Sequence, residues 1–358
     1  MGQRPAARSA PSTHHRTTEG DSMNRRHFLA SLGAAALAAG VAGCTRTTPG
    51  SGAAAGGEPL TIGLTYTPDI QFAPFYLAES AGHFEAQGVR VTLRHHGANE
   101  QLLGALQAGT EQLVYAGGDE LLQARSQGVA VTDIATLYQE YPVVAIVREE
   151  SPIRSAADLR GRRIGVPGPY GETWFGLLAL LETAGLKQSD VQVQNIGYTQ
   201  QAALTSNQVE VVMGYANNDA VRFAQAGVPI RSLPLAEEQA AVPLVGVGLG
   251  AADQVLQTRA EDLRKVINAV RRGIDDLVAD PNKAVEAAKK YVPNLSVPAQ
   301  QQAALATLEA TIPLFGDPAT AGQQDPARWE SMAEFMQQMG LLAKPVPAAE
   351  AYTDTLLN

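Results

Sequence analysis

The feature that most constrains this chain is an alternation of short strands and helices that runs through it twice. Apolar, β-branched runs are predicted as strands at residues 60–66, 89–94 and 113–116. Between and after them lie helical stretches at 74–87, 99–108 and 120–127, stopped by Gly88, Gly109 and Gly128. Glycine directly after a periodic run is the usual helix stop, because it enters the left-handed region without strain. Strands at 131–138 and 143–148 end this series. A second series follows, with strands at 163–166, 191–196, 209–213 and 245–249 and helices at 173–184, 200–205 and 217–226. The remainder is helical, at 263–278, 281–291, 299–312 and 326–340. Alternation of this kind predicts an α/β fold in which parallel sheets are covered by helices on both faces. Two series imply two lobes joined by two crossovers, with a helical C-terminal region. Lobe I is expected over 59–145 plus 246–345, and lobe II over 146–245.

The first 58 residues do not share this pattern. Arg25-Arg26 precede Phe28-Leu29, a weakly apolar run over 28–43, and then Val41-Ala42-Gly43-Cys44. The arginine pair resembles a twin-arginine export signal, and the last four residues resemble a bacterial lipobox. The resemblance implies a signal over 1–43, cleavage before Cys44 and a diacylglycerol on its thiol. Cys44 is the only cysteine in the chain, so an internal disulfide is excluded. The apolar run is shorter than the roughly 20 residues a spanning helix needs. Met23 is a second candidate start, which would make 1–22 an over-long leader. Residues 44–58, rich in Gly, Ala and Thr, have the composition of a flexible tether. The expected localisation is therefore extracytoplasmic, held at a membrane by lipid alone.

The formal net charge is −9. The excess lies beyond the signal, where acidic side chains outnumber basic ones more strongly. Such a body repels phosphate backbones and is not expected to bind nucleic acid.

The residues Tyr66-Thr67-Pro68-Asp69, followed by Gln71-Phe72-Ala73-Pro74-Phe75-Tyr76-Leu77-Ala78, resemble the opening motif of periplasmic-type binding proteins for thiamine pyrimidine precursors. Gly82-His83-Phe84-Glu85 fits the continuation of that motif. Leu159-Arg160-Gly161-Arg162-Arg163-Ile164-Gly165-Val166 resembles a segment of bilobal binding proteins generally and marks the fold alone. The likeness spans about residues 60–345. It implies a type II periplasmic-binding-protein fold and an ABC importer receptor whose lobes close on a small solute. The implied partners are that solute, a permease and an ATPase, and the expected solution state is a monomer. The first ligand class implied is a hydroxymethyl- or formamido-aminopyrimidine. Riboflavin is the alternative, because riboflavin-binding relatives carry a similar opening.

Ligands of open α/β sheets sit outside the carboxyl ends of the strands. That rule selects Tyr66, Asp69, Gln71 and Phe72 after the first strand, and His96 and Asn99 after the second. After the third it selects Gly118 and Asp119, and near the crossover Tyr138 and Tyr141. In the second series it selects Tyr170, Gly171, Glu172, Thr173 and Trp174, then Tyr198, then Tyr215, Asn217, Asn218 and Asp219. Aromatic rings grip a flat heterocycle, and amides read its ring nitrogens and carbonyls. Trp174 reads equally as core. Asp119 and Asp219 read as helix caps or as ligand contacts. These loops hold four acids and no arginine, which favours a neutral or cationic ring over an anion. Arg94 and Arg222 are the nearest guanidinium candidates.

Some members of the resembled family are pyrimidine synthases that use pyridoxal phosphate and a motif histidine. Here Phe72 holds that position, and none of the six lysines lies on these loops. No Gly-x-Ser-x-Gly elbow occurs. The chain is expected to be neither an enzyme nor a cofactor or metal protein.

Overall fold

The computed structural model describes residues 57–97, 100–237 and 241–357. Cys44, the signal and nearly all of the tether lie outside the described residues, as does Asn99. The described strands are β1 (Leu60–Leu64), β2 (Val91–His95), β3 (Leu113–Gly117), β4 (Val131–Thr136) and β5 (Val143–Arg148). They continue with β6 (Arg163–Val166), β7 (Gln192–Asn195), β8 (Val211–Tyr215), β9 (Ile230–Leu233) and β10 (Val247–Ala252).

These strands build two five-stranded sheets, ordered β2-β1-β3-β10-β4 and β7-β6-β8-β5-β9. The expected two-lobed α/β architecture is present, with one correction: the sheets are mixed, not parallel. β10 runs antiparallel to β3 and β4, and β5 antiparallel to β8 and β9. Each of these is the first strand laid down after the chain crosses between sheets. Among the described residues of the crossings, 137–142 and 234–246, no long helix carries the chain back to the starting edge, and the arriving strand enters reversed. β5 therefore lies wholly in the second sheet, although its sequence had placed it at the end of the first series with a lobe boundary at 145. β9 carries no strand signal strong enough to read from sequence alone.

The helices follow the expected pattern with local differences. The stretch predicted as one helix over 74–87 is two, Ala73–Ser80 and His83–Ala86, broken where Gly82 takes φ 71°. Helices Ala260–Ala279, Pro281–Ala288 and Pro298–Thr311 cover the first sheet, with Leu263, Val270, Leu277 and Leu308 in its core. Helix Pro326–Gln338 does not join them. Its Trp329, Met332, Phe335 and Met336 pack into the second core, among Phe175, Leu177 and Met213. Among the described residues no helix is long and apolar enough to cross a membrane.

The C-terminal segment is tied to the first sheet through a buried carboxyl. Asp133 on β4 is fully buried. Its Oδ1 accepts from Gln324 Nε2 at 2.7 Å and from the Ala135 amide at 3.0 Å. Gln324 Oε1 in turn accepts from Trp329 Nε1 at 2.8 Å and Thr136 Oγ1 at 2.6 Å. Burial pushes the Asp133 carboxyl up to about 7, against the two donors, and Asp354 adds repulsion. In the unfolded chain it titrates near its ordinary 3.8. Between those values the folded protein keeps a proton that the unfolded chain has lost, so this group costs stability progressively as pH rises through the window. Asp133→Asn is therefore expected to gain stability relative to the parent protein between pH 4 and pH 8, by more than about 1 kcal/mol. Urea unfolding at both pH values checks this; an equal difference at the two would contradict it.

Candidate functional site

The carboxyl ends of β1 and β3 and those of β6, β7 and β8 face one another, because side chains from the two sets of loops touch. The Tyr66 and Tyr198 rings, one from each lobe, have centroids 5.8 Å apart. Asn218 Nδ2, after β8, donates to Gln71 Oε1, after β1, at 2.8 Å. Tyr141, on the first crossing, donates its hydroxyl to Asp119 Oδ2 at 2.6 Å and lies 3.0 Å from the Glu172 carbonyl oxygen.

Three layers can be distinguished. The outermost is aromatic: Tyr66 is 41% exposed, Tyr170 54% and Tyr198 59%, in a protein that buries most of its large rings. Tyr66 holds φ at 110°, a conformation a side chain bearing a Cβ rarely adopts. Such strain costs of order 1–3 kcal/mol and persists where the surroundings impose it, most often at functional sites. The Tyr170 ring lies over the backbone of Gly168; a Cβ there would sit 2.2 Å from the ring.

Beneath lies an acidic layer. Asp119 and Glu120 start the helix Gly118–Ser126, and Glu172 lies in the first turn of Gly171–Thr183. Carboxylates near a helix N-terminus meet unpaired backbone amides. Asp119 Oδ1 accepts from the Glu120 amide at 2.7 Å, and Glu120 Oε2 from the Gly117 amide at 3.2 Å. Tyr215 donates to Glu172 Oε2 at 2.5 Å. A Cβ on Gly117 would meet both Asp119 and Glu172, so the close approach of the two acids requires glycine there. Burial pushes all three carboxyls up. Asp119 is raised further by the charge of Glu120, and Glu172 by the charges of Asp119 and Glu120. Glu120 is brought to about 7. Burial and the nearby acids also raise the Tyr141 and Tyr215 hydroxyls, which therefore stay protonated as donors.

A third group of residues, partly at the rim and partly buried, is polar and ties the loops together. Asp69 accepts from the Gln71 amide at 3.1 Å, capping the turn Ile70–Phe72, and lies 3.5 Å from Arg222. Asp219 accepts from the Tyr215 amide at 2.8 Å, tying the end of β8 to the next helix. Asn217 is fully buried and donates to Thr311 Oγ1 at 3.0 Å. Among the described residues, Glu172 Oε1 and Asn217 Oδ1 are buried acceptors with no partner.

The remaining sequence candidates lie elsewhere. Phe72 packs against His95 and Tyr115 in the first core, and Trp174 is buried in the second. Thr173 is buried in the first turn of its helix. Gly118 is a tight packing point, where a Cβ would strike Val245. His96 pairs with the buried Glu111 at 3.0 Å, while His95 Nε2 lies 3.0 Å from the Tyr76 hydroxyl, so the two histidines serve different partners. Sequence reasoning missed Glu120, whose signal was its place beside Asp119 at a helix start. It also missed Tyr115, whose ring lies edge-on to that of Tyr138 with centroids 6.2 Å apart.

Comparison with known proteins places this geometry. The model of the family described as NMT1/THI5 like matches residues 69–284. The riboflavin-binding protein RibY of Chloroflexus aurantiacus is 33% identical over 327 residues, 87% of this chain and 91% of its own. A formylaminopyrimidine-binding protein of Halalkalibacterium halodurans is 21% identical, covering 83% and 90%. Among solved structures, the alkanesulfonate-binding protein SsuA of Xanthomonas axonopodis pv. citri, bound to MOPS, superposes with a TM-score of 0.65 at 20% identity. That match covers 83% of this chain and 99% of its own. The likeness to SsuA is one of fold. With the two facing α/β lobes and a family match across more than half its length, this chain belongs to the NMT1/THI5-like family, on a periplasmic-binding-protein fold.

Proposed function

We propose that this protein is the extracytoplasmic solute-binding component of an ABC importer. It captures a flat, neutral or cationic nitrogen heterocycle between its lobes. The observation that carries the reading is the pairing of exposed tyrosines from both lobes with a floor of buried acceptors. Tyr66, Tyr170 and Tyr198 offer ring faces. Beneath them, Glu172 Oε1 and Asn217 Oδ1 are acceptors without donors among the described residues. A buried acceptor left unpaired is costly, and a guest carrying N–H or O–H groups relieves that cost. An anionic guest has no such support. Arg94 is held by Glu111 at 2.6 Å and Glu100 at 2.7 Å, and Arg222 lies against Asp69.

Similarity to a riboflavin-binding protein favours the flavin ring over the pyrimidine precursor that the opening motif first suggests. The pyrimidine is the second reading, favoured by the formylaminopyrimidine-binding relative. Both are heterocycles with hydrogen-bond donors and neither needs a guanidinium. Binding without chemistry fits Phe72, a core ring in the place of a catalytic histidine. Capture outside the cytoplasm fits the signal and lipidation reading of residues 1–44, with Cys44 as the anchor and the permease and ATPase as partners.

Melting of the full chain with riboflavin, formyl-aminomethylpyrimidine, hydroxymethyl-aminopyrimidine, taurine and nitrate tests the ligand class. A ligand at 100 times its Kd adds about 2.7 kcal/mol of stability. Riboflavin or a pyrimidine is expected to raise the melting temperature; a shift with taurine or nitrate alone would contradict the reading. The strained Tyr66 gives a second test. Tyr66→Ala and Tyr66→Gly are expected to weaken riboflavin binding about equally, by tenfold or so if one good aromatic contact is lost. They are expected to differ in stability, with the glycine variant higher by about 1 kcal/mol because φ 110° no longer strains it. Unchanged affinity in both would remove Tyr66 from the ligand wall.

A further inference from the structure

One short helix of the second lobe, Asp219–Gln225, presents a row of donors to the first lobe. Asn218, Arg222 and Gln225 fall at positions i, i+4 and i+7, a spacing that sets side chains along one helical face. Each meets a different acceptor. Asn218 Nδ2 donates to Gln71 Oε1 at 2.8 Å. An Arg222 terminal nitrogen lies 3.5 Å from Asp69 Oδ2. Gln225 Nε2 donates to the Ala303 carbonyl, on helix Pro298–Thr311, at 3.0 Å. The acceptors belong to two separate first-lobe elements, the turn after β1 and that long helix. All three contacts are made by protein on both sides.

We propose that this row is a clasp that holds the two lobes together before any ligand arrives. The contacts lie at the rim, where Arg222 is more than half exposed and Asn218 and Gln71 are partly exposed. Opening the gap there exchanges protein partners for water, so each contact makes a small net contribution. A set of weak, solvent-accessible contacts shifts a closing equilibrium without locking it. Net hydrogen-bond contributions of this kind change a two-state ratio by about two- to tenfold each. The Arg222–Asp69 contact also weakens with added salt, since exposed ion pairs are screened. The consequence concerns the same gap as the proposed function but does not depend on what fills it: the closed fraction of the free protein scales the apparent affinity for any guest that binds the closed form.

The clasp separates two roles of Asp69. Its Oδ1 caps the turn by accepting from the Gln71 amide, and its Oδ2 faces Arg222. Asp69→Asn keeps a side-chain oxygen for the cap and removes the charge.

Ligand-free, full-length protein decides the matter. With Cys44→Ser as background, spin labels at Thr92→Cys and Ser189→Cys, exposed positions on opposite lobes, report the interlobe distance. Asn218→Ala, Arg222→Ala and Gln225→Ala are each expected to lower the ratio of short- to long-distance populations by about two- to tenfold, and the triple variant further. Asp69→Asn is expected to match Arg222→Ala, and combining the two should add little beyond either alone. Circular dichroism confirms that each variant is folded, and Asp69→Asn and Arg222→Ala serve if the triple variant is not. A distance distribution unchanged in Arg222→Ala, Asn218→Ala and Asp69→Asn would overturn the clasp. No ligand enters the measurement, so failure of the proposed ligand class leaves this result intact.

Discussion

The arrangement depends on a chain of buried hydroxyls and carboxyls that runs from one lobe to the other. Asp119 begins a first-lobe helix, Tyr141 sits on the crossing, Glu172 begins a second-lobe helix, and Tyr215 ends β8. Two tyrosine hydroxyls reach the two carboxyls at 2.6 and 2.5 Å. Both are short O–H···O bonds with the tyrosine hydroxyl as donor. Burial is the main reason that Asp119 and Glu172 resist ionisation; the charge of Glu120 adds to it at Asp119, and those of Asp119 and Glu120 at Glu172. The tyrosines make the cluster tolerable and at the same time fix where the two helix starts meet. The aromatic rim above inherits its position from this floor.

Much of the fold was legible in the sequence because its determinants are local. Glycine stops and apolar periodicity located most strands and helices, and the βα order implied two lobes. What the sequence could not show was decided by tertiary pairing. β5 reads as an ordinary apolar strand, and only its pairing with β8 and β9 assigns it to the second sheet. Gly82 looks like any helical glycine until its positive φ divides the helix. Trp329 belongs to a C-terminal helix that reads as first-lobe cover, yet its indole packs into the other core.

The site was legible as a set of loops and less so as a set of roles. The rule of strand carboxyl ends selected the residues that meet. It could not separate the exposed rings of Tyr66, Tyr170 and Tyr198 from the core rings of Phe72 and Trp174, because burial depends on what the other lobe brings. Nor could it show that Asp69 and Asn218 already have protein partners. The lack of arginine on these loops was legible directly, and the nearest guanidinium groups, Arg94 and Arg222, lie against acids.

The central claim is that a flat heterocycle lies between tyrosines of the two lobes, above buried acceptors. A crystal structure of the protein grown with riboflavin tests it most directly. The account predicts the ring system against Tyr66 and Tyr198, with a donor-bearing edge directed to Glu172. A flavin bound on an outer face, leaving those tyrosines uncovered and the acids without a new partner, would contradict it.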